Sequence, residues 1–408
     1  MMDYKDYKTK DKKMIQLASK DLCTGCGACA FVCSKKCISM QENKQGIIYP
    51  VFDNLNCITC HACERVCPIL NPLKKNEPKH AYASYSLSND EYKTSASGGI
   101  ASEIYRFALD KGYYIAGAKM NESFSVDICL SKDEKDLVSF KNSKYVFSSC
   151  IKLYPQIKKA IRNEENIVVI CLPCQIAALR KVFHDNEHVL YVEVVCHGTT
   201  PVKYLREHIS NIEKSLNKKT KLLYFRDPRL GTDSFVFTLS DSQNTIFYQK
   251  GPYDDFYQYG YHRMITYREN CFHCNFASTS RIADITLSDY KGLGLMSPTS
   301  IQSSKKLSSV LVNTKKGEKF ISELLANRSI FYEERPIDEP ICGDPQLRHP
   351  SKKTKARYDF ESRMKIYDAD FLKSMGEVMN KDLKRRKISM FVRSPFRKLK
   401  KLLKNISK

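Results

Sequence analysis

The sequence predicts a small cysteine-rich α+β module, then an α/β domain with a mixed sheet, then a basic helical tail. Three observations carry this reading. Nine of the 17 cysteines fall within the first 67 of 408 residues. Apolar runs of strand length alternate with amphipathic helical stretches from about residue 80 to 335. The last 28 residues, Lys381 to Lys408, hold twelve Lys or Arg against one Asp, a net of +11 within a chain total of +22.

Composition sets outer bounds. With 42% apolar residues, 16 Gly and 15 Pro, the chain can bury a core and is too poor in Gly and Pro for a collagen or a low-complexity chain. Its length points to more than one domain. The longest apolar stretches, Ile167 to Leu172 and Val189 to Cys196, fall far short of the ~20 residues a membrane helix needs. The N-terminus is polar and basic, without an apolar export segment, so a cytoplasmic location is expected. There, 17 cysteines point to metal ligation rather than disulfides.

Taken in order, residues 1–16 read as a basic arm and residues 17–73 as the cysteine-rich module. Cys23, Cys26, Cys29 and Cys33 are spaced x2, x2, x3, and Cys57, Cys60, Cys63 and Cys67 repeat that spacing before Pro68. In such a run the first three thiolates reach three irons of one cubane, and the fourth turns toward the other cluster. The expected sets are Cys23, Cys26, Cys29 and Cys67 on one 4Fe-4S cluster, and Cys57, Cys60, Cys63 and Cys33 on a second. Zinc is the alternative, but structural zinc takes four ligands, usually as two separated pairs. Gly25 and Gly27 suit close backbone approach in the first loop. Ser34 stands where the second run has Pro68, and Cys37 reads as a small buried hydrophobe. The segment resembles a bacterial two-cluster ferredoxin. A linker rich in Pro and charge follows, from Asn71 to Pro78.

Residues 80–335 form the α/β domain. Ala81 to Ser86 reads as a strand, Ile100 to Lys111 as a helix opened by Ser97-Gly98-Gly99, Tyr113 to Ala118 as a strand and Ile151 to Asn163 as a helix. Ile167 to Ile170 then runs into Cys171-Leu172-Pro173-Cys174-Gln175, Ile176 to Phe183 is helical, and Val189 to Val195 ends in Cys196-His197-Gly198. This is a β-α-β unit, which sets both cysteine loops at the carboxyl edge of one parallel sheet. Cys271-Phe272-His273-Cys274 adds a close pair. Cys174, Cys196, Cys271 and Cys274 are candidate ligands of a third 4Fe-4S cluster, with zinc, a redox CxxC or unligated thiols as alternatives. His197 and His273 stand beside these cysteines as supports or as solvated side chains. Eight Phe or Tyr between Phe247 and Tyr267 read as core packing ahead of a stacking platform.

Residues 336–408 are expected as a basic tail. From Phe396 to Ile406 apolar residues recur at helical spacing, which suits peripheral contact with an anionic membrane face. A solvated tail or a docking helix are the other readings, and no folded nucleic-acid reader is apparent.

Past the front module, an ordered set of motifs resembles the family of beta subunits of coenzyme F420 hydrogenases and dehydrogenases. It comprises Ser97-Gly98-Gly99-Ile100, Asn142-Ser143-Lys144-Tyr145-Val146, Leu172-Pro173-Cys174-Gln175-Ile176-Ala177, Val195-Cys196-His197-Gly198, Tyr267-Arg268-Glu269-Asn270-Cys271-Phe272-His273-Cys274 and Arg281 to Asp289. The resemblance implies an iron–sulfur flavoprotein with FAD held near Ser97, Gly98, Gly99, Lys144, Tyr145, Arg281, Asp284 and Asp289, and it strengthens the third-cluster reading. The helix opened by the Ser-Gly-Gly turn would offer free N–H groups to a phosphate. Two departures stand out: Cys171 where relatives often carry Gly, and Tyr290-Lys291-Gly292 where they often carry Trp-Gly. The implied activity is electron passage between a hydride carrier such as a deazaflavin and the clusters, with a redox protein or that carrier as partner. Many fused members are associated with surface-polysaccharide synthesis. The rival readings are a flavin-free electron-transfer subunit and a scaffold of polysaccharide assembly whose clusters are structural.

Overall fold

The computed structural model describes residues 15–302 and 304–387. Nearly all of the basic arm, and the apolar stripe between Phe396 and Ile406, lie outside the described residues.

The front module is built from two short helices, Ala28–Val32 and Ala62–Arg65, and an antiparallel hairpin, Ile38–Glu42 with Ile48–Phe52. Each helix follows a residue in the left-handed region, Gly27 (φ 78) and His61 (φ 58). Gly25 (φ 70) and Thr59 (φ 51) are likewise matched in the two loops. The first loop needs glycine for a second reason. A Cβ on Gly27 would come within 2.6 Å of Ile151 Cγ1, because this loop packs on the following domain. The second loop leaves Cys60 exposed and tolerates Thr59 and His61.

The α/β domain carries a nine-stranded mixed sheet. In spatial order its strands are Ile330–Arg335, His80–Ser86, Ser308–Val312, Ile285–Asp289, Val189–Val194, Ile167–Cys171, Tyr114–Met120, Val126–Ser131 and Ser148–Ser149. Ile167–Cys171 pairs in parallel with Val189–Val194 and with Tyr114–Met120, as a β-α-β unit requires, and Val189–Val194 pairs in parallel with Ile285–Asp289. Antiparallel pairing on both flanks makes the sheet mixed. All five residues of Ile167–Cys171 are buried because both faces are covered. Val169 and Tyr191 face helices Leu153–Arg162 and Pro173–Phe183, while Val168, Ile170 and Val192 face helices Ile100–Asp110 and Lys315–Ala326.

A third layer holds a small sheet of Leu222–Tyr224, Phe237–Ser240 and Ile246–Lys250 beside helix Val202–Leu216. Tyr257 and Tyr259, from the aromatic-rich region, are fully buried here against Phe360, Phe371 and Met375. The stretch from 336 onward, expected as a tail, therefore supplies core side chains as far as Met379. Its helix Lys355–Ile366 and the helical backbone over 371–387 dock by apolar residues that the local charge excess obscures. Among the described residues, no helix is long and apolar enough to cross a membrane.

Tyr290 donates its hydroxyl to Glu339 Oε2 at 2.6 Å. Arg335 Nε and Nη2 reach the same carboxylate at 2.8 and 2.9 Å, and Met296 N at 3.1 Å. Burial alone would raise this carboxyl, but these donors outweigh it and bring its pKa from 4.5 down to about 2. A depressed carboxyl stabilises the fold above its unfolded value, and that stabilisation is lost as pH falls through the folded value. Unfolding titrations should therefore show on the order of 3 kcal/mol lost between about pH 4.5 and 2, and Glu339→Gln should flatten that part of the profile. An unchanged profile would show that the network contributes nothing net.

Candidate metal centre

Two groups of cysteines meet where the front module sits on the sheet. Cys23, Cys26, Cys29 and Cys67 line one cavity of about 410 Å³, which Cys63 also reaches. Gly25 N–H points at Cys23 Sγ (3.4 Å), and Thr59 N–H at Cys57 Sγ (3.3 Å), so the two loops stabilise thiolate charge in the same way. Cys33 Sγ accepts from Cys37 N at 3.2 Å, and Cys37 is buried. Burial pushes the Cys26 thiol up to about 11, with Cys23 and Cys67 adding like charge, and it raises Cys23, Cys29 and Cys63 too.

The second cavity, about 890 Å³ of space partly open to solvent, is lined by Cys174, Cys196, Cys271 and Cys274. Each arrives by a different local device. Cys174 follows Pro173 at the start of helix Pro173–Phe183, where Pro needs no N–H partner. Gln175 holds that turn, accepting from Leu172 N at 3.0 Å and donating to Ser148 O at 2.8 Å. Cys196 leaves strand Val189–Val194, and Gly198 follows at φ 149; a Cβ there would meet Tyr267 Cδ2 at 2.2 Å. That close approach, with Arg268 N donating to Thr199 O at 2.9 Å, brings the Cys196 loop against short helix Glu269–Phe272, which bears Cys271. Burial pushes Cys174, Cys196 and Cys274 up, and each also feels the neighbouring sulfurs. Gly198 N–H offsets this at Cys196, and Phe276 and Ala277 N–H do so at Cys274. Four sulfurs, backbone donors and two buried arginines, Arg268 and Arg281, fit an anionic iron–sulfur cluster. Among the described residues no three His, Cys, Asp or Glu close tightly enough to hold one metal ion. A cubane spreads its thiolates over separate irons.

The two cavities share Thr24, Cys26 and Ile69 in their walls. Cys150 Sγ and Tyr154 Oη, neither of them singled out by any pattern in the sequence, donate to Cys26 O at 3.3 and 3.2 Å, and Phe31 stacks on Tyr154 at 5.1 Å. His197 and His273 lie on the rim of the second cavity. Cys171 is instead buried in the core beneath the sheet.

The residues expected around a flavin divide into groups. Ser97 Oγ donates to Leu307 O at 2.9 Å, and Gly98 N–H donates to Ser308 Oγ at 3.1 Å, so the latter donor is not free. A Cβ on Gly98 would lie 2.4 Å from Ser84 O, so packing itself demands glycine. Gly99 (φ 88) caps helix Ile100–Asp110 beside the Glu91 side chain, which already complements the helix dipole. Asp289 pairs with Ser308 at the same end of the sheet and lies 4.0 Å from Arg226. Tyr145 stacks on Tyr261 at 4.3 Å and reaches Arg226, while burial pulls the Lys144 ammonium down to about 7, its Nζ donating to the carbonyls of Lys141 and Asn142. Lys306, missed by sequence reasoning, bonds Ser95 O and Thr232 Oγ1 nearby. Arg281 and Asp284 stand apart from this rim. Arg281 is paired with Glu193 at 2.6 Å beside the second cavity, and Asp284 accepts from Tyr191 N and Thr314 Oγ1.

Cysteine-walled cavities side by side at the edge of a mixed α/β sheet fit the class of iron–sulfur proteins. Residues 164–339 match the family described as the C terminus of the beta subunit of coenzyme F420 hydrogenase/dehydrogenase, and residues 22–70 match the 4Fe-4S dicluster domain. The chain thus carries the C-terminal domain of that family of beta subunits, with the dicluster domain at its front. It is 24% identical over 195 residues to the F subunit of the F(420)H(2) dehydrogenase of Methanosarcina mazei, spanning 45% of this chain and 56% of that protein. It is also 24% identical over 193 residues to the coenzyme F420-dependent sulfite reductase of Methanocaldococcus jannaschii, spanning 47% of this chain and 30% of that one. The chain thus spans about half or less of these curated relatives. A chain of the F420-reducing NiFe hydrogenase complex from Methanosarcina barkeri aligns over 76% of this chain and 92% of its own length, at 18% identity and a TM-score of 0.45.

Proposed function

We propose that the protein passes electrons between a hydride carrier, a deazaflavin or similar, at a flavin and three 4Fe-4S clusters, for a redox partner. The observation that supports this most is the shared wall of the two cavities at Thr24, Cys26 and Ile69. On this reading Cys23, Cys26, Cys29 and Cys67 hold one cluster, Cys33, Cys57, Cys60 and Cys63 a second, and Cys174, Cys196, Cys271 and Cys274 a third. Bound clusters supply one-electron chemistry, and a flavin supplies the exchange between two-electron and one-electron carriers. The chain's own part is to bury the thiolates, aim N–H groups at sulfur and keep the two cavities adjacent. The exposed Cys60, close in sequence to Leu55 and Ile58, 93% and 54% exposed, offers a face to the partner protein.

For the flavin, Lys144, Tyr145, Ser97 and Asp289, with Arg226 and Lys306, form the rim that fits best, since among the described residues no carboxylate pairs with the Lys144 ammonium. Arg281 and Asp284 belong elsewhere on this reading. The flavin-free electron-transfer subunit is the second reading, favoured by the engaged Gly98 N–H and by Glu91 beside Gly99. Service to surface-polysaccharide synthesis, as enzyme or scaffold, rests on the family resemblance alone. Iron, sulfide and flavin are to be measured per chain after anaerobic purification. About twelve irons and one flavin is the expected result, at four irons per cluster. About twelve irons without flavin selects the second reading, and about eight without flavin reduces the proposal to the front module.

A further inference from the structure

Arg268 is a buried charge at the junction of the two cavities. It is 3% exposed, and among the described residues it forms no ion pair with a carboxylate. The adjacent Glu269 is engaged by Lys353 at 2.7 Å and Arg357 at 3.4 Å. Arg268 instead reaches into the first cysteine loop, Nη1 donating to Thr24 O at 2.8 Å and Nη2 to Cys23 O at 3.3 Å. Its guanidinium lies 4.6 Å over the Phe147 ring, and its buried Nε has no partner among the described residues. The same side chain walls the second cavity, three residues before Cys271. A Cβ on Gly25 would meet its Nη2 at 3.0 Å, so the loop is shaped to admit it.

A buried guanidinium without a counter-charge is strongly disfavoured. Here each neighbouring cavity holds one proposed set of four cysteine ligands, which become thiolates when they bind iron. We infer that Arg268 is a positioning residue and the shared counter-charge of the two adjacent cluster sites, raising their reduction potentials while it ties the front loop to the α/β domain. The inference rests on the proposal that both cavities hold clusters. Reduction adds one electron, and one negative charge, to an already anionic site, so a fixed cation nearby favours the reduced form. Net charge and hydrogen bonding near the sulfurs are among the terms that set such potentials.

The test uses the full chain, purified anaerobically, as wild type, Arg268→Met and Arg268→Lys. Iron and sulfide are counted first, and the clusters are then titrated with dithionite and followed by electron paramagnetic resonance. Arg268→Met should keep its iron and shift at least one cluster tenfold toward the oxidised form, which is 59 mV for one electron. Arg268→Lys keeps the charge but loses the two-pronged grip, and should show a smaller shift. Wild-type potentials in an iron-replete Arg268→Met variant would overturn the inference. Should Arg268→Met lose iron, Arg268→Lys decides: restored iron with a smaller potential shift supports the charge role, and loss of iron in both variants reduces Arg268 to a structural latch. A wild-type chain with about eight irons would instead remove the third-cluster reading itself, a failure distinct from unchanged potentials.

Discussion

Cys271→Ser should lower the iron of the anaerobically purified chain from about twelve atoms to about eight, with acid-labile sulfide falling in step. Cys271 suits this test because it sits on the short helix Glu269–Phe272 rather than in a buried strand, so the change from sulfur to oxygen disturbs little packing. Its hydroxyl neighbour Thr199 Oγ1, 3.9 Å from the sulfur, can accept or donate to the new serine. Cys171→Ser is the matched control. Cys171 lies at the end of Ile167–Cys171, buried in the core, and its replacement should cost stability while leaving iron unchanged. Equal iron in Cys271→Ser and wild type would show that the second cavity holds no cluster. A loss in Cys171→Ser as large as in Cys271→Ser would redraw the ligand set.

Arg281→Met should destabilise the chain by about 3–5 kcal/mol, the usual consequence of stranding one member of a buried ion pair. Arg281 is 1% exposed, and its partner Glu193 is fully buried with one oxygen, Oε2, already lacking a hydrogen bond among the described residues. Arg281 Nε donates to Glu193 Oε1 at 2.6 Å, and Thr286 Oγ1 donates to the same oxygen at 2.8 Å. Removing the guanidinium would also free the carbonyls of Phe276 and Ser278, which it holds at 3.2 and 2.6 Å just past Cys274. Chemical denaturation would measure the loss. The double variant Arg281→Met with Glu193→Gln should recover part of it, because no charge is then left buried. A loss under about 1 kcal/mol in the single variant would mean that water or movement of the loop satisfies Glu193.

The front module was legible because its chemistry is local. Eight cysteines in a doubled spacing dictate their own loops, and the structure folds both loops around the same left-handed turns. Gly25 and Gly27 were readable as residues that suit close backbone approach, but only the docked domain shows that this loop must lie flat against Ile151 and Arg268. The β-α-β unit was equally readable, from two apolar runs around one helix. The outer strands were not, because Ser308–Val312 and Ile330–Arg335 pair antiparallel with His80–Ser86 across more than 200 residues of chain. Charge counting hid the core role of Phe360, Phe371 and Met375 in a segment that reads as tail.

By itself, the order of residues determined a cysteine-rich front of doubled 4Fe-4S spacing and a parallel β-α-β heart. Those features follow from spacings of a few residues and from the period of single elements. Tertiary structure alone decided that Cys174, Cys196, Cys271 and Cys274 face one cavity, that this cavity abuts Cys26, and that Arg268 lies between the two sites. Contacts between distant segments depend on how layers pack and on which buried charges find partners, and no local pattern encodes that.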